Sequence, residues 1–280
     1  MKKFVVFMFA LTLCLSAEAQ LQTPQPSPFS KMTQTVGLTE VTVEYSRPSM
    51  RGRTVFDNLV PYDKLWRTGA NKNTMVSFSD DVTVDGQTLK AGDYAIYTKP
   101  GKASWEVIFY SDTNNWGTPR EWDDSKVAAK TTAEVFPIEF PIETFTITID
   151  DLHNNGATLG LMWEKAYVGV KFEVPTAKKA DESITRVMAG PSASELYAAA
   201  SYYYEEGKDL NKAKEWIDKA VSMNDKAYWV MRRQSLIYAK LGDKKGAIDA
   251  AKKSLAAAET AGNQDYVKLN KDSLKEWGAL

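Results

Sequence analysis

The chain has one cysteine and one histidine among its 280 residues. That scarcity excludes a cysteine–histidine nucleophile pair, a cysteine-rich zinc site and a multi-histidine metal centre, each of which needs more of these side chains. A surplus of one charge is also lacking. The 35 basic and 36 acidic residues leave a formal net charge of −1, so no overall field draws the protein to nucleic acid or to an anionic membrane surface. There is no Asp-x-Asp-x-Asp-Gly loop and no glycine-rich phosphate loop. No cofactor or metal is expected. What is present is ordinary for a globular chain, 44% hydrophobic and 25% charged, with length enough for one large domain or two modest ones.

Long apolar runs are confined to the beginning. Lys2 and Lys3 precede the stretch Phe4 to Leu15, which is followed by Ala17-Glu18-Ala19. A basic start, a short apolar run and a small-x-small site make a secretory signal peptide over residues 1–19. The run is shorter than the ~20 residues needed to cross a bilayer, so no transmembrane segment is expected after cleavage. Cys14 raises a lipoprotein alternative, but Leu13 stands before it where a small residue is expected. The mature chain is expected to lack cysteine altogether, and an exported protein without disulfides must rely on its cores and hydrogen bonds. The expected location is exported, periplasmic or extracellular.

Beyond an N-terminal extension at 20–37, residues 38–175 read as β structure. Val41, Val43 and Tyr45 alternate with Thr42 and Glu44, and Val82 and Val84 lead into Asp85-Gly86, a dipeptide suited to the positive backbone angles of a tight hairpin. Further strands are expected at Tyr94–Tyr97, Trp105–Tyr110, Lys126–Val135, Thr144–Ile149, Thr158–Trp163 and Val168–Val174, with a turn at Asn154-Asn155-Gly156. Short strands without crossover helices predict an antiparallel β-sandwich. A linker with a short helix occupies 176–192, and residues 193–280 take up helical spacing. Charge shifts with period: residues 20–177 carry 15 basic and 20 acidic groups, residues 178–280 carry 18 and 15. The fold class is therefore α+β with two domains.

The helical half contains a repeat. Tyr203, Gly207, Ala213 and Ala220 are matched by Tyr238, Gly242, Ala247 and Ser254, and Ala213 lies 34 residues before Ala247. This resembles the tetratricopeptide repeat, in which small residues let antiparallel helices approach closely and glycine ends the first of each pair. Ser235 at the usual glycine position, the small Ala251 and the missing closing proline depart from that pattern. In this register the first helices present Tyr197, Ser201, Tyr204, Trp229, Arg232 and Leu236 on the concave face. Aromatic and arginine side chains dominate interface energetics, so Tyr197, Tyr204, Trp229 and Arg232 are candidates to bind a protein or peptide partner, unless the chain itself covers the face.

In the β half, Glu44-Tyr45-Ser46-Arg47-Pro48-Ser49, Arg51-Gly52-Arg53, Leu59-Val60-Pro61-Tyr62 and above all Trp66-Arg67-Thr68-Gly69-Ala70-Asn71 occur in order. Ala91-Gly92-Asp93-Tyr94, Trp105-Glu106-Val107-Ile108 and Trp116-Gly117 follow. Over roughly residues 25–175 this resembles an exported bacterial family catalogued as domain of unknown function 2911. The resemblance implies a signal-peptide-bearing β domain and brings no activity with it.

Arg47, Arg51, Arg53 and Arg67, with Trp66 and Asn71, form the strongest ligand-binding candidate: clustered guanidiniums can hold an anion bidentately beside a stacking ring. The competing reading is an ordered loop, its arginines paired with Asp57, Asp63, Asp80 or Asp81 and Trp66 in the core. Trp116, Trp122 and Tyr110 around Asn114-Asn115 suggest a carbohydrate platform or hairpin packing. His153 falls in a turn, which disfavours a Ser-His-Asp triad. The pairs Asp80-Asp81, Asp123-Asp124 and Asp150-Asp151 point to opposite faces if they lie in strands. The expected function is a non-enzymatic binding or scaffold protein of the cell envelope, with a carboxylate-dependent hydrolase of envelope carbohydrate as the alternative.

Overall fold

The computed structural model describes residues 23–188 and 190–280. The leader expected at 1–19 lies outside the described residues. The chain divides into two compact units, one ending at Thr176 and the other running from Ala177 to Leu280.

Nine strands build the first unit: β1 (Phe29–Val36), β2 (Thr39–Ser46), β3 (Ala70–Phe78), β4 (Val82–Val84), β5 (Gln87–Leu89), β6 (Gly92–Pro100), β7 (Ser104–Tyr110), β8 (Val127–His153) and β9 (Gly156–Glu173). They form an antiparallel sheet in the order β1-β2-β3-β6-β7-β8-β9-β4-β5. Strand β8 is the fold line. Its first part, to Glu134, pairs with β7, and from Val135 onward it pairs with β9. Pro137 and Pro141 offer no N–H to a ladder, and the β8–β9 register slips between Pro137 and Ile142 and again before Thr146. Such bulges bend and twist a strand, and the two ends of the sheet face each other across one core.

Alternation supplies that core. Val41, Val43 and Tyr45 are buried while Thr42 and Glu44 are not, so one face of β2 turns inward. Tyr45 meets Phe145 of β8 edge-on at 5.8 Å, and Phe78 of β3 meets Phe172 of β9 at 5.7 Å. These contacts join facing layers and make the unit a sandwich. Each such large apolar side chain contributes roughly 1.5–3 kcal/mol by leaving water. The hairpin between β4 and β5 turns on Asp85 (φ 49°) and Gly86 (φ 73°), the positive angles expected of the dipeptide.

Three features differ from the sequence expectation. The sheet begins at Phe29, inside the stretch read as an N-terminal extension, because β1 pairs along the whole of β2 from Phe29↔Ser46 to Val36↔Thr39. As an edge strand it buries Val36 alone, so its apolar pattern is faint. The segments expected as separate strands at 126–135 and 144–149 are one strand, as are those at 158–163 and 168–174. Bulges, here including Glu164 at φ 53°, let a strand pass an irregularity without ending.

The second unit consists, among the described residues, of six helices: α1 (Thr176–Val187), α2 (Ala193–Glu205), α3 (Leu210–Met223), α4 (Tyr228–Lys240), α5 (Lys244–Thr260) and α6 (Gln264–Glu276). Ser192 and Glu195 form a reciprocal capping box at the start of α2, and Asp209, Asp243 and Asn263 cap α3, α5 and α6. The matched small residues Ala213, Ala220, Ala247 and Ser254 are fully buried, which lets neighbouring helices approach closely. Gly207 (φ 64°) and Gly242 (φ 84°) follow α2 and α4 in the left-handed conformation that terminates helices. Asp181 of α1 receives Lys208 at 2.6 Å. No helix among the described residues is long and apolar enough to cross a membrane.

Candidate functional site

Three of the four clustered arginines are used up by the fold. Arg47 donates to the Phe145 carbonyl (3.1 Å) and the Thr146 hydroxyl (2.7 Å), Arg51 to the Pro26 carbonyl (2.8 Å), and Arg53 to the carbonyls of Met50 and Ser49 (both 2.8 Å). They bind backbone carbonyls and one hydroxyl, not the carboxylates at 57, 63, 80 or 81. A long loop has carbonyls that no ladder satisfies, and a guanidinium with five donors serves several at once. Trp66 packs on Trp105, Phe145 and Trp163 and donates to the Gly69 carbonyl at 3.2 Å. It belongs to the sandwich core. Asn71 donates to the Ser27 carbonyl at 3.3 Å and sits at φ 60°.

Arg67 is different. Its Nε is buried with no hydrogen-bond partner, and a Cβ placed on Gly117 would lie 3.4 Å from its Nη1. The neighbouring backbone is contorted: Thr68, buried and β-branched, has φ 55°, and Gly69 has φ 153°. A positive φ is costly for a β-branched residue. Thr68 is held there by its hydroxyl on Thr98 (3.1 Å) and its carbonyl on the Thr74 hydroxyl (2.6 Å). The motif 66–71 thus forms a rigid turn with Trp66 directed into the core and Arg67 against the 111–123 loop.

That loop covers a second, smaller apolar cluster of Ala95, Tyr97, Ile108 and Tyr110, with Leu65, Trp122 and Val127 against it. Trp122 stacks on Tyr110 at 4.5 Å and donates to Asp124 at 2.9 Å, so it serves packing. Trp116 remains 78% exposed. On either side of it, the Asn115 N–H donates to the Asn73 Oδ1 (3.1 Å) while the Asn115 carbonyl accepts the Asn73 N–H (3.2 Å), and the Gly117 carbonyl accepts from the Tyr97 hydroxyl at 3.3 Å. Asn73 escaped the sequence reading because an unmet hydrogen bond leaves no trace in residue order.

The acidic pairs serve as local ties. Asp81 accepts from Lys90 and the Ala91 N–H, Asp123 caps a 3-10 turn through Ser125, Asp150 accepts from Thr148 and Tyr167, and Asp151 from Thr158. His153 is exposed at the β8–β9 turn, its Nδ1 accepting from the Asn155 N–H at 3.3 Å.

In the helical unit α2, α4 and α6 lie in a row. Tyr197, Ser201 and Tyr204 recur at helical spacing on α2. The Ser201 hydroxyl is buried and unpartnered, as is Nη1 of Arg232 on α4. Burial lowers the affinity of the Arg232 guanidinium for its proton, and Tyr204 and Tyr266 stand close enough to oppose that effect. The Tyr266 hydroxyl of α6 is pushed up, first by burial and then by Tyr197 and Tyr228. Tyr228 stacks edge-on with both Tyr266 (4.9 Å) and Trp229 (5.0 Å), and Trp229 is 40% exposed. Of the residues expected on this face, Tyr204 and Arg232 are neighbours, Tyr197 and Arg232 each lie near Tyr266, and Trp229 joins through Tyr228. Lys240 and Arg233 lie over the Tyr204 ring, so the neighbourhood is cationic and aromatic.

An antiparallel sandwich followed by helical hairpins defines a two-domain α+β protein, with unpartnered buried donors at Arg67 and Asn73 of the first unit and at Ser201 and Arg232 of the second. Residues 27–172 match the model of a family described as a protein of unknown function, DUF2911, and the chain belongs to that family. No curated protein and no solved structure matches it. The family match stops within β9, so it covers the sandwich without the helices.

Proposed function

We propose that the protein is an exported, non-enzymatic binding or scaffold protein of the cell envelope, whose tetratricopeptide-like hairpins dock an extended peptide across the face of α2, α4 and α6. One observation carries this reading: Arg232 is half-buried near Tyr204 and Tyr266, with Arg233 and Asp272 also in range, and its Nη1 is unpartnered. A desolvated guanidinium nitrogen without an acceptor favours an incoming carboxylate, and exposed Trp229 on the same helix supplies apolar contact. The partner chemistry is therefore a peptide that presents an acidic side chain or a C-terminal carboxylate next to an apolar residue. Export rests on the leader at 1–19, and the family membership of the sandwich is compatible with a scaffold role.

Selection of the cleaved chain, residues 20–280, against a random peptide library tests it. Enriched peptides are expected to carry a carboxylate and to bind at least about tenfold more weakly to Arg232→Gln and to Trp229→Ala. Peptides that bind both variants as well as the parent would overturn the assignment of the face.

A further inference from the structure

The second unsatisfied neighbourhood belongs to the sandwich and is independent of the helical face. Asparagine offers one acceptor and two donor hydrogens on its side chain. In Asn73, which is 2% exposed, Oδ1 accepts the Asn115 N–H at 3.1 Å, and this fixes the amide orientation; Nδ2 is left buried without a partner. The Nε of Arg67 is in the same condition. A buried donor left unsatisfied costs about 1–3 kcal/mol, more when charged. Two such donors are held against one tripeptide: Asn73 through Asn115, and Arg67 against Gly117. The middle residue of that tripeptide is Trp116, the most exposed large apolar side chain of the described residues.

Among the described residues no carboxylate is paired with the Arg67 Nε. Asp112, a carboxylate of the 111–123 loop, is occupied by Lys126 at 2.8 Å and by the Asn114 N–H at 3.2 Å. The Tyr97 hydroxyl donates to the Gly117 carbonyl and is held neutral by burial. The turn is also preorganised, because Thr68 is fixed at positive φ by Thr98 and Thr74. An oxyanion from outside is the partner that would satisfy two donors and a positive charge together. An indole projecting from the same tripeptide is a stacking surface for a sugar ring.

We propose that Arg67, Asn73 and Trp116 form a binding site for an acidic sugar, with its carboxylate on Arg67 and the Asn73 Nδ2 and its ring against the Trp116 indole. The site accounts for two orphan donors and an exposed tryptophan with one ligand class.

Titration of residues 20–280 with galacturonate oligomers, with neutral galactose oligomers and with inorganic phosphate, followed by calorimetry and by the tryptophan indole NMR signals, tests the site. The expected result is saturable galacturonate binding that shifts the Trp116 indole, with galactose and phosphate each at least about tenfold weaker. Trp116→Ala, at an exposed position that will not unfold the chain, is expected to weaken galacturonate by a similar factor. Arg67→Gln is expected to abolish binding and Arg67→Lys to restore part of it. Arg232→Gln is expected to leave galacturonate binding unchanged, which separates this site from the helical face. Equal binding of phosphate with no response to Trp116→Ala, equal binding of galactose, or no saturation with galacturonate would each overturn the proposal.

Discussion

Tyr97 shows how a single buried group ties the loop site to pH. Its hydroxyl is pushed up to about 12, chiefly by burial, with Asp112 and Tyr110 adding to the effect and Asn115 opposing it. In the unfolded chain the phenol ionises near 10, so the folded state keeps a proton that the unfolded state has lost. The stabilisation from keeping Tyr97 neutral is complete below pH 10 and is lost as pH rises to about 12. Chemical denaturation of Tyr97→Phe between pH 9 and 12 is therefore expected to show a shallower alkaline loss than the parent, by up to about 2 kcal/mol. An identical slope would mean that Tyr97 is not held neutral by the fold. Tyr167, also raised to about 12 by burial and by Asp150, keeps part of the slope in either protein. At this scale the sequence went some way. It placed Trp66, Arg67 and Asn71 in one motif, but it grouped Arg67 with Arg47, Arg51 and Arg53, whose donors are directed to backbone carbonyls. Residue type fixes how many donors an arginine has; only the folded loop fixes which acceptors lie within 3 Å.

The elements were most legible where their boundaries depend on local chemistry. Asp85-Gly86 takes the two positive angles that the dipeptide favours, and Gly207 and Gly242 close α2 and α4 where the repeat placed them. Gly242 has nothing within 4 Å of where a Cβ would stand, so any cost of adding one is conformational. Gly242→Ala is expected to lower stability by about 1–2 kcal/mol, measured by the helical circular dichroism signal in urea; a neutral result would show that the αL turn is not maintained. Where an element depends on its neighbours, the sequence was less informative. Strand β1 exists because β2 offers a free edge, and β8 runs unbroken past two prolines because β9 resumes the ladder beyond each bulge. Hydrophobic alternation cannot report either fact.

On the scale of the whole molecule each unit has its own core. In the sandwich, Phe145 is fully buried among Tyr45, Trp66 and Trp163. In the helical unit Ile217 is fully buried with Leu196, Ala213 and Ala220. Neither site has room for a cavity to collapse without moving several neighbours. Phe145→Ala is expected to cost about 3–5 kcal/mol and Ile217→Ala about 2–5 kcal/mol, read from urea unfolding by aromatic fluorescence for the first and helical dichroism for the second. Losses under 1 kcal/mol would contradict this packing.

The sequence by itself determined the class of fold, because side-chain period, turn dipeptides and helix-ending glycines are local properties that residue order carries directly. It also limited the chemistry available, because one cysteine and one histidine cannot build a cysteine-rich or multi-imidazole centre. The tertiary structure alone decided which polar groups are left without partners. Arg67, Asn73 and Arg232 stand out because their surroundings exclude water and supply no acceptor. That deficit arises from the sum of neighbours brought together from distant parts of each unit.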